Sequence, residues 1–184
     1  AAALAILTAY IRELGRANGA GNDFSGAFAK PQRTALVTGA GKRLGRAMAL
    51  YLAERGHDVA VHYSASEGEA EEVAALIRAM GRKAVTLQAD VLDETQVEQL
   101  IPRACAALGD LTVLINNASI FEPDTLETGT RRSWDRHVES NLRAPFVLSQ
   151  AFAAQCPRAV LDDMGEPVAQ GLIVNMLDQR IHKL

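Results

Sequence analysis

The sequence predicts an α/β fold in which a doubly wound parallel sheet carries helices on both faces. Three observations lead there. After Pro31, short apolar, β-branched runs alternate with longer segments of helical periodicity, which is how a βαβ series feeding a buried sheet reads. Gly56 and Gly81 each close a helical segment just before the next apolar run, where a helix C-cap belongs. The first apolar run leads directly into a glycine-bearing turn and then a helix, the context that gives such a turn meaning.

The elements follow in order. Strands are expected at Thr34–Thr38, Asp58–Tyr63, Ala84–Gln88, Leu111–Ile115 and Leu172–Met176. Helices fill the gaps at Arg43–Arg55, Glu67–Met80, Thr95–Leu108 and Ser133–Cys156, the last interrupted by Pro145. Ahead of them, Leu4, Leu7, Ile11 and Leu14 recur at the spacing of an amphipathic helix that stops near Gly15. Glycine, alanine and small polar residues then dominate from Asn18 to Lys30, so residues 1–30 read as a helix and a flexible arm. Residues 31–184 read as one domain.

Bulk properties narrow the function. At 184 residues with 48% hydrophobic side chains, the domain can bury roughly 70% of its unfolded surface. Nineteen basic against 22 acidic residues give a formal charge of −3, without the basic excess of a nucleic-acid binder. Cys105 and Cys156 are far apart and form no C-x-x-C pair, so neither a metal site nor a redox couple is expected, and both read as buried free thiols. No apolar run is long enough to span a membrane, and no basic region precedes the apolar opening. A soluble, cytoplasmic protein with a small-molecule substrate is the expectation.

The chemistry-bearing segment is Thr38-Gly39-Ala40-Gly41-Lys42-Arg43-Leu44-Gly45. Glycines in a strand–turn–helix let backbone amides approach a diphosphate, and the helix N-terminus favours the negative charge. Dinucleotide sites that take NAD place a carboxylate at the end of the second strand to hold the ribose hydroxyls. That point reads His62-Tyr63-Ser64-Ala65-Ser66 and carries no acid. Lys42, Arg43, Ser64 and Ser66 offer donors to a 2′-phosphate instead, so NADP(H) is expected over NAD(H). The plainer alternative makes Lys42 and Arg43 solvated surface charges.

The loop resembles the T-G-x-x-x-G-x-G of short-chain dehydrogenases/reductases, with Gly39 and Gly45 in the outer glycine positions and Arg43 replacing the middle one. The same order of landmarks continues. Asp90-Val91 resembles the pair that frames the adenine ring, and Asn116-Asn117-Ala118-Ser119 resembles N-N-A-G with serine for glycine. Asn141 stands where the family keeps an asparagine that supports the active-site strand and a proton-relay water. The resemblance runs from Thr34 to about Asp178 and implies a Rossmann-type NADP(H)-binding domain. It places Gly39, Lys42, Arg43, Leu44, Gly45, His62, Tyr63, Ser64, Ser66, Asp90, Val91, Asn117, Ala118 and Ser119 at the cofactor. A homo-oligomer, dimer or tetramer, is implied too, with the helix from Ser133 against the partner subunit.

Two residues resemble the pteridine reductase branch, whose loop also reads T-G-A-x-K-R-L-G. Phe121 matches the aromatic that stacks on the pterin opposite the nicotinamide, although an aromatic there can also be a loop anchor packed on the core. Asp178 stands where most family members have the catalytic serine and pteridine reductases have aspartate; the alternative is an acid capping a turn. The resemblance implies a pterin or folate-like substrate held by Arg43, Ser119, Phe121 and Asp178, with Asp178 and Asn141 in the catalytic set. Its tyrosine-x-x-x-lysine pair falls a little after the Asp178 position. Tyr10, Tyr51 and Tyr63 are not followed by that lysine. The residues are therefore expected to be part of a longer protein, binding cofactor but turning over little by themselves. Reduction of another carbonyl substrate, or a catalytically silent NADP(H)-binding module, are the alternative functions.

Overall fold

A computed structural model describes residues 33–178 of the chain. Expectations for the N-terminal helix and arm lie outside these residues. Strand β1 (Thr34–Val37) is followed by helix α1 (Arg43–Glu54), β2 (Asp58–Tyr63), α2 (Glu67–Ala79), β3 (Ala84–Gln88), α3 (Glu94–Leu108) and β4 (Val113–Asn116). Helix α4 (Arg131–Val138), a π-helical turn (Glu139–Arg143) and α5 (Ala144–Gln155) come next. A hairpin of β5 (Val160–Leu161) and β6 (Pro167–Val168) precedes β7 (Leu172–Asn175).

The five long strands form one sheet in the order β3-β2-β1-β4-β7, every neighbouring pair parallel. The chain winds from β1 through β2 to β3, then crosses back to place β4 on the other side of β1. The crevice where the winding reverses opens above the C-terminal ends of β1 and β4, the usual ligand position of such sheets. This is the Rossmann-type fold that the alternation of apolar runs and helical segments predicts.

Helices pack through stripes at three-and-four spacing. Met48, Ala49, Leu52 and Ala53 of α1 are buried, as are Ala70, Val73, Ala74 and Ile77 of α2. Across the sheet, Val97, Leu100, Ile101, Ala104 and Leu108 of α3 meet Ala144, Val147, Leu148 and Phe152 of α5 in one apolar cluster with Leu36 and Leu114. Burying each of the larger side chains contributes about 1.5–3 kcal/mol. All four residues of β1 and of β4 are buried, so the crevice between them stands on the most completely buried part of the sheet.

Three differences from the sequence reading have physical reasons. The long helix starts at Arg131, not Ser133, because Thr130 and Ser133 form a reciprocal capping box; serine at the third position replaces the glutamate that usually signals one. It is not broken at Pro145. The π turn just before accommodates the proline, whose ring would otherwise collide with the carbonyl four residues back. The β5–β6 hairpin was not expected, since strands of two exposed residues have no apolar alternation to show. Cys105 and Cys156 are free but only half-buried, a correction to the reading of both as buried thiols. Among the described residues no helix is long and apolar enough to cross a membrane, and no group of His, Cys, Asp or Glu could hold a metal ion.

Candidate functional site

The predicted site residues come from six separated segments; five of them follow the C-terminal ends of the sheet's strands, and the sixth, Asn141, is carried by the π-helical turn. The glycine loop leaves β1. Gly39 has φ of +62° and Arg43 of +51°, left-handed backbone that glycine adopts freely and arginine adopts at a cost. At Gly45 the demand is steric: a Cβ there would stand 2.1 Å from the Gly39 carbonyl oxygen and 2.7 Å from Asn117 Nδ2. Lys42 is the N-cap of α1, with extended backbone and no capping side chain, and no acid stands in the first turn. The leading amides of α1 thus present positive potential with no competing side chain, the arrangement that receives an anion. Lys42, Arg43 and Leu44 are exposed around it.

Two residues hold this loop against β4. Thr38, 2% exposed, accepts through Oγ1 from the amides of Asn117 and Ala118, both at 2.9 Å. Asn117 in turn donates from Nδ2 to the carbonyls of Thr38 at 2.8 Å and Gly39 at 3.2 Å. Asn117, an expected cofactor ligand, therefore has its side-chain amide committed to the loop backbone. Thr38 escaped the sequence reading as a site residue, although most hydroxyls at the end of a buried strand find a partner.

His62 also turns inward. Its ring is 1% exposed and lies between β1 and β3: Nδ1 accepts from the Gly39 amide at 3.1 Å, and Nε2 donates to the Ala89 carbonyl at 3.1 Å. The ring must be neutral to accept at Nδ1. Burial, the largest cause, pushes its pKa from 6.5 down to about 4. An unfolded chain takes up this proton near the ordinary value and the folded chain only near 4, so between them the unfolded state binds more protons and stability falls as pH falls. The His62 contribution amounts to on the order of 3 kcal/mol across that window. His57, buried near the opposite end of the sheet, shifts the same way to about 4. Denaturant unfolding of His62→Asn at about pH 7 and about pH 4.5 is expected to show a smaller loss of stability between the two than the parent; an unchanged loss would show that His62 does not titrate this way.

Beyond the loop, Ser64 is exposed and Tyr63 and Ser66 are half-buried. A Cβ at Gly41 would lie 3.2 Å from both Ser66 Oγ and the Ala70 amide, so the first turn of α2 backs directly onto the glycine loop. Glu69 from that turn pairs with Lys42 at 2.5 Å, so a carboxylate does reach the loop, from six residues beyond the end of β2. After β3, Asp90 is half-buried and Val91 buried; Asp90 Oδ1 accepts from the Leu92 amide at 3.0 Å, shaping the turn.

The other wall is the segment after β4. Ala118 is half-buried, and Ser119 and Phe121 are exposed. Asn141, presented by the π turn, accepts from the Ile120 amide and donates to the Ile120 carbonyl, both at 2.9 Å. On the other side of Phe121, the Glu122 amide donates to His137 Nε2 at 3.0 Å, and Arg136 pairs with the Glu122 carboxylate at 2.8 Å. This hydrogen bond holds the Glu122 carboxyl below the usual range and raises the Arg136 pKa. Phe121 is thus set between two fixed backbone points, with its ring 62% exposed. Asp178 follows β7, whose Asn175 lies opposite Asn116 in the sheet, the two side chains joined at 2.8 Å. Arg136 and His137 were not singled out from sequence, because only the fold brings them to Glu122.

The arrangement is a glycine-lined anion cradle beside a shelf that displays an aromatic ring, with a carboxylate at the end of the neighbouring strand. The family model described as short chain dehydrogenase matches residues 33–177, nearly all of the described fold. The chain belongs to the short-chain dehydrogenase family. Among curated members, the 3-oxoacyl-[acyl-carrier-protein] reductase FabG of Staphylococcus aureus is 38% identical over 129 residues, covering 70% of this chain and 52% of that protein. Among solved short-chain dehydrogenases and relatives, FolM alternative dihydrofolate reductase 1 from Brucella suis, in complex with NADP, superposes with a TM-score of 0.73 at 34% identity. That match covers 83% of this chain and 59% of the other. A short chain dehydrogenase from Burkholderia cenocepacia, also in complex with NADP, is 40% identical with a TM-score of 0.66, covering 69% and 52%. The chain spans about half the length of the curated short-chain dehydrogenases it matches.

Proposed function

We propose that this chain is the NADP(H)-binding part of a pteridine-reductase-like oxidoreductase that transfers hydride to a pterin or folate-like ring. The observation that carries the reading is Arg43, an arginine held at φ of +51° in the position where the family's middle glycine sits without strain. Left-handed backbone costs a non-glycine residue about 1 kcal/mol or more, and such strain persists where the side chain serves the site.

The residues fit the cofactor. The uncapped start of α1 offers amides and helix potential to the diphosphate. Lys42, Ser64 and Ser66 would be donors to a 2′-phosphate, and β2 ends without a carboxylate. Val91 and Asp90 border the adenine side, and Ser119 borders the nicotinamide side. NADPH, once bound, supplies the hydride. Phe121 offers a flat face against which a heteroaromatic ring stacks, while Arg43 and Ser119 orient it. Asp178 holds the family's tyrosine in place and assists proton delivery to a ring nitrogen. Asn141 keeps the Phe121 shelf in register through Ile120. The Brucella suis relative, named for dihydrofolate reduction, supports the pterin or folate class; the Staphylococcus aureus relative, named for 3-oxoacyl thioester reduction, supports the rival carbonyl class.

The test is NADPH oxidation by the full-length gene product with dihydrofolate, dihydrobiopterin and a 3-oxoacyl thioester. Turnover of a dihydropterin or dihydrofolate is expected, with loss of about a hundredfold in Asp178→Ala. Turnover of the thioester alone would replace the pterin reading by that of a carbonyl reductase, and no turnover of any would favour a silent binding module.

A further inference from the structure

Among the described residues, the Lys42–Glu69 pair is a charged contact of the glycine loop that the family reading leaves unexplained. Lys42 is the N-cap of α1, and Glu69 lies in the first turn of α2. Their side chains meet at 2.5 Å while remaining 56% and 43% exposed, so a solute can reach either group. Close packing of Gly41 against Ser66 and Ala70 fixes the two helix starts relative to each other. The ammonium beside it is the largest cause holding the Glu69 carboxyl below the usual range, so the carboxylate is charged at neutral pH.

We infer that Glu69 lowers the preference for NADP(H) over NAD(H) that Lys42 provides: its carboxylate occupies Lys42 until a 2′-phosphate takes the ammonium from it. The inference rests on the reading that Lys42 meets the 2′-phosphate. A phosphate monoester carries about −1.5 to −2 charges near neutral pH and three acceptor oxygens, so it outcompetes a single carboxylate for an exposed ammonium. Displacement still opposes binding, because the Lys42–Glu69 contact is lost and Glu69 is left beside the incoming phosphate. NAD(H) displaces nothing and meets a neutralised pair. Glu69 therefore weakens binding of the phosphorylated cofactor selectively, and holds the lysine extended across the loop while the site awaits it.

Fluorescence titration of NADPH and NADH against the chain, its Glu69→Gln variant and its Lys42→Met variant tests this, with adenosine 2′,5′-bisphosphate as a competitor lacking the nicotinamide. Glu69→Gln is expected to bind NADPH and the bisphosphate about two- to fivefold more tightly, the range that an exposed ion pair allows, with NADH unchanged. Lys42→Met is expected to lose most of the preference for NADPH. Weaker or unaltered NADPH binding in Glu69→Gln, alongside a lost preference in Lys42→Met, would overturn the role of Glu69 and leave that of Lys42 standing. A preference unchanged in Lys42→Met would overturn both.

Discussion

Gly45→Ala is expected to destabilise the fold by about 3 kcal/mol or more and to weaken NADPH binding by about a hundredfold or more. The new methyl group would stand 2.1 Å from the Gly39 oxygen and 2.7 Å from Asn117 Nδ2. Neither neighbour can retreat. The Gly39 carbonyl is part of the left-handed turn and accepts from Asn117, and the Asn117 amide also holds Thr38. The loop must lift from α1, which would misdirect the amides proposed to receive the diphosphate. Gly41→Ala is the matching control. Its nearest contacts would be at 3.2 Å and its φ is not left-handed, so a loss of about 1 kcal/mol is expected. Denaturant midpoints of the two variants, with a cofactor titration of each, check the contrast.

Thr38→Val is expected to cost about 2–4 kcal/mol despite preserving the side chain's shape. The hydroxyl oxygen is acceptor to two amides, those of Asn117 and Ala118, and the site is buried. A methyl group in its place leaves both N–H groups without that partner, at about 1–3 kcal/mol each. Thr38→Ser keeps the oxygen and is expected to stay within about 1 kcal/mol of the parent. Amide hydrogen exchange at Asn117 and Ala118 should quicken in the valine variant and not in the serine variant. Equal exchange in the two would show that the hydroxyl does not hold the end of β4.

The sheet was legible in the sequence because its central strands β1, β2 and β4 are buried on both faces. Runs such as Ala35–Val37 and Val113–Ile115 are continuous and apolar, and the intervening helices carry narrow apolar stripes, so the two periods separate cleanly. The glycine loop was legible because its backbone requirements admit few residues. Less visible was what the side chains around it do. His62 and Asn117 have the right positions in the chain for cofactor contacts, yet both are turned into the protein to hold Gly39. That depends on where β1, β2 and β4 lie side by side, which spacing along the chain does not disclose. Glu69, Arg136 and His137 were missed for the same reason, each gaining its partner only across two elements. The π turn escaped because its signal, a proline seven residues beyond Val138, looks like that of a helix break.

The shelf that carries Phe121 shows how this hidden layer serves the site. Ile120 and Glu122, on either side of the ring, are held by Asn141, His137 and Arg136 from one helical stretch. Fixing the backbone at both neighbours holds the segment that carries the ring before any ligand arrives, which would lower the ordering cost of the proposed stacking. The same economy governs the cradle, where Thr38, Asn117 and His62 order the loop in advance.

Direct titration of the purified chain with NADPH and with NADH, at the same ionic strength, tests the central claim that the loop from Thr38 to Gly45 is a cradle for a phosphorylated dinucleotide. The expected result is saturable binding of both, with NADPH held at least about tenfold more tightly, the effect of a single charge-assisted contact to the additional phosphate. Equal affinities, tighter NADH, or no saturable binding of either would contradict it.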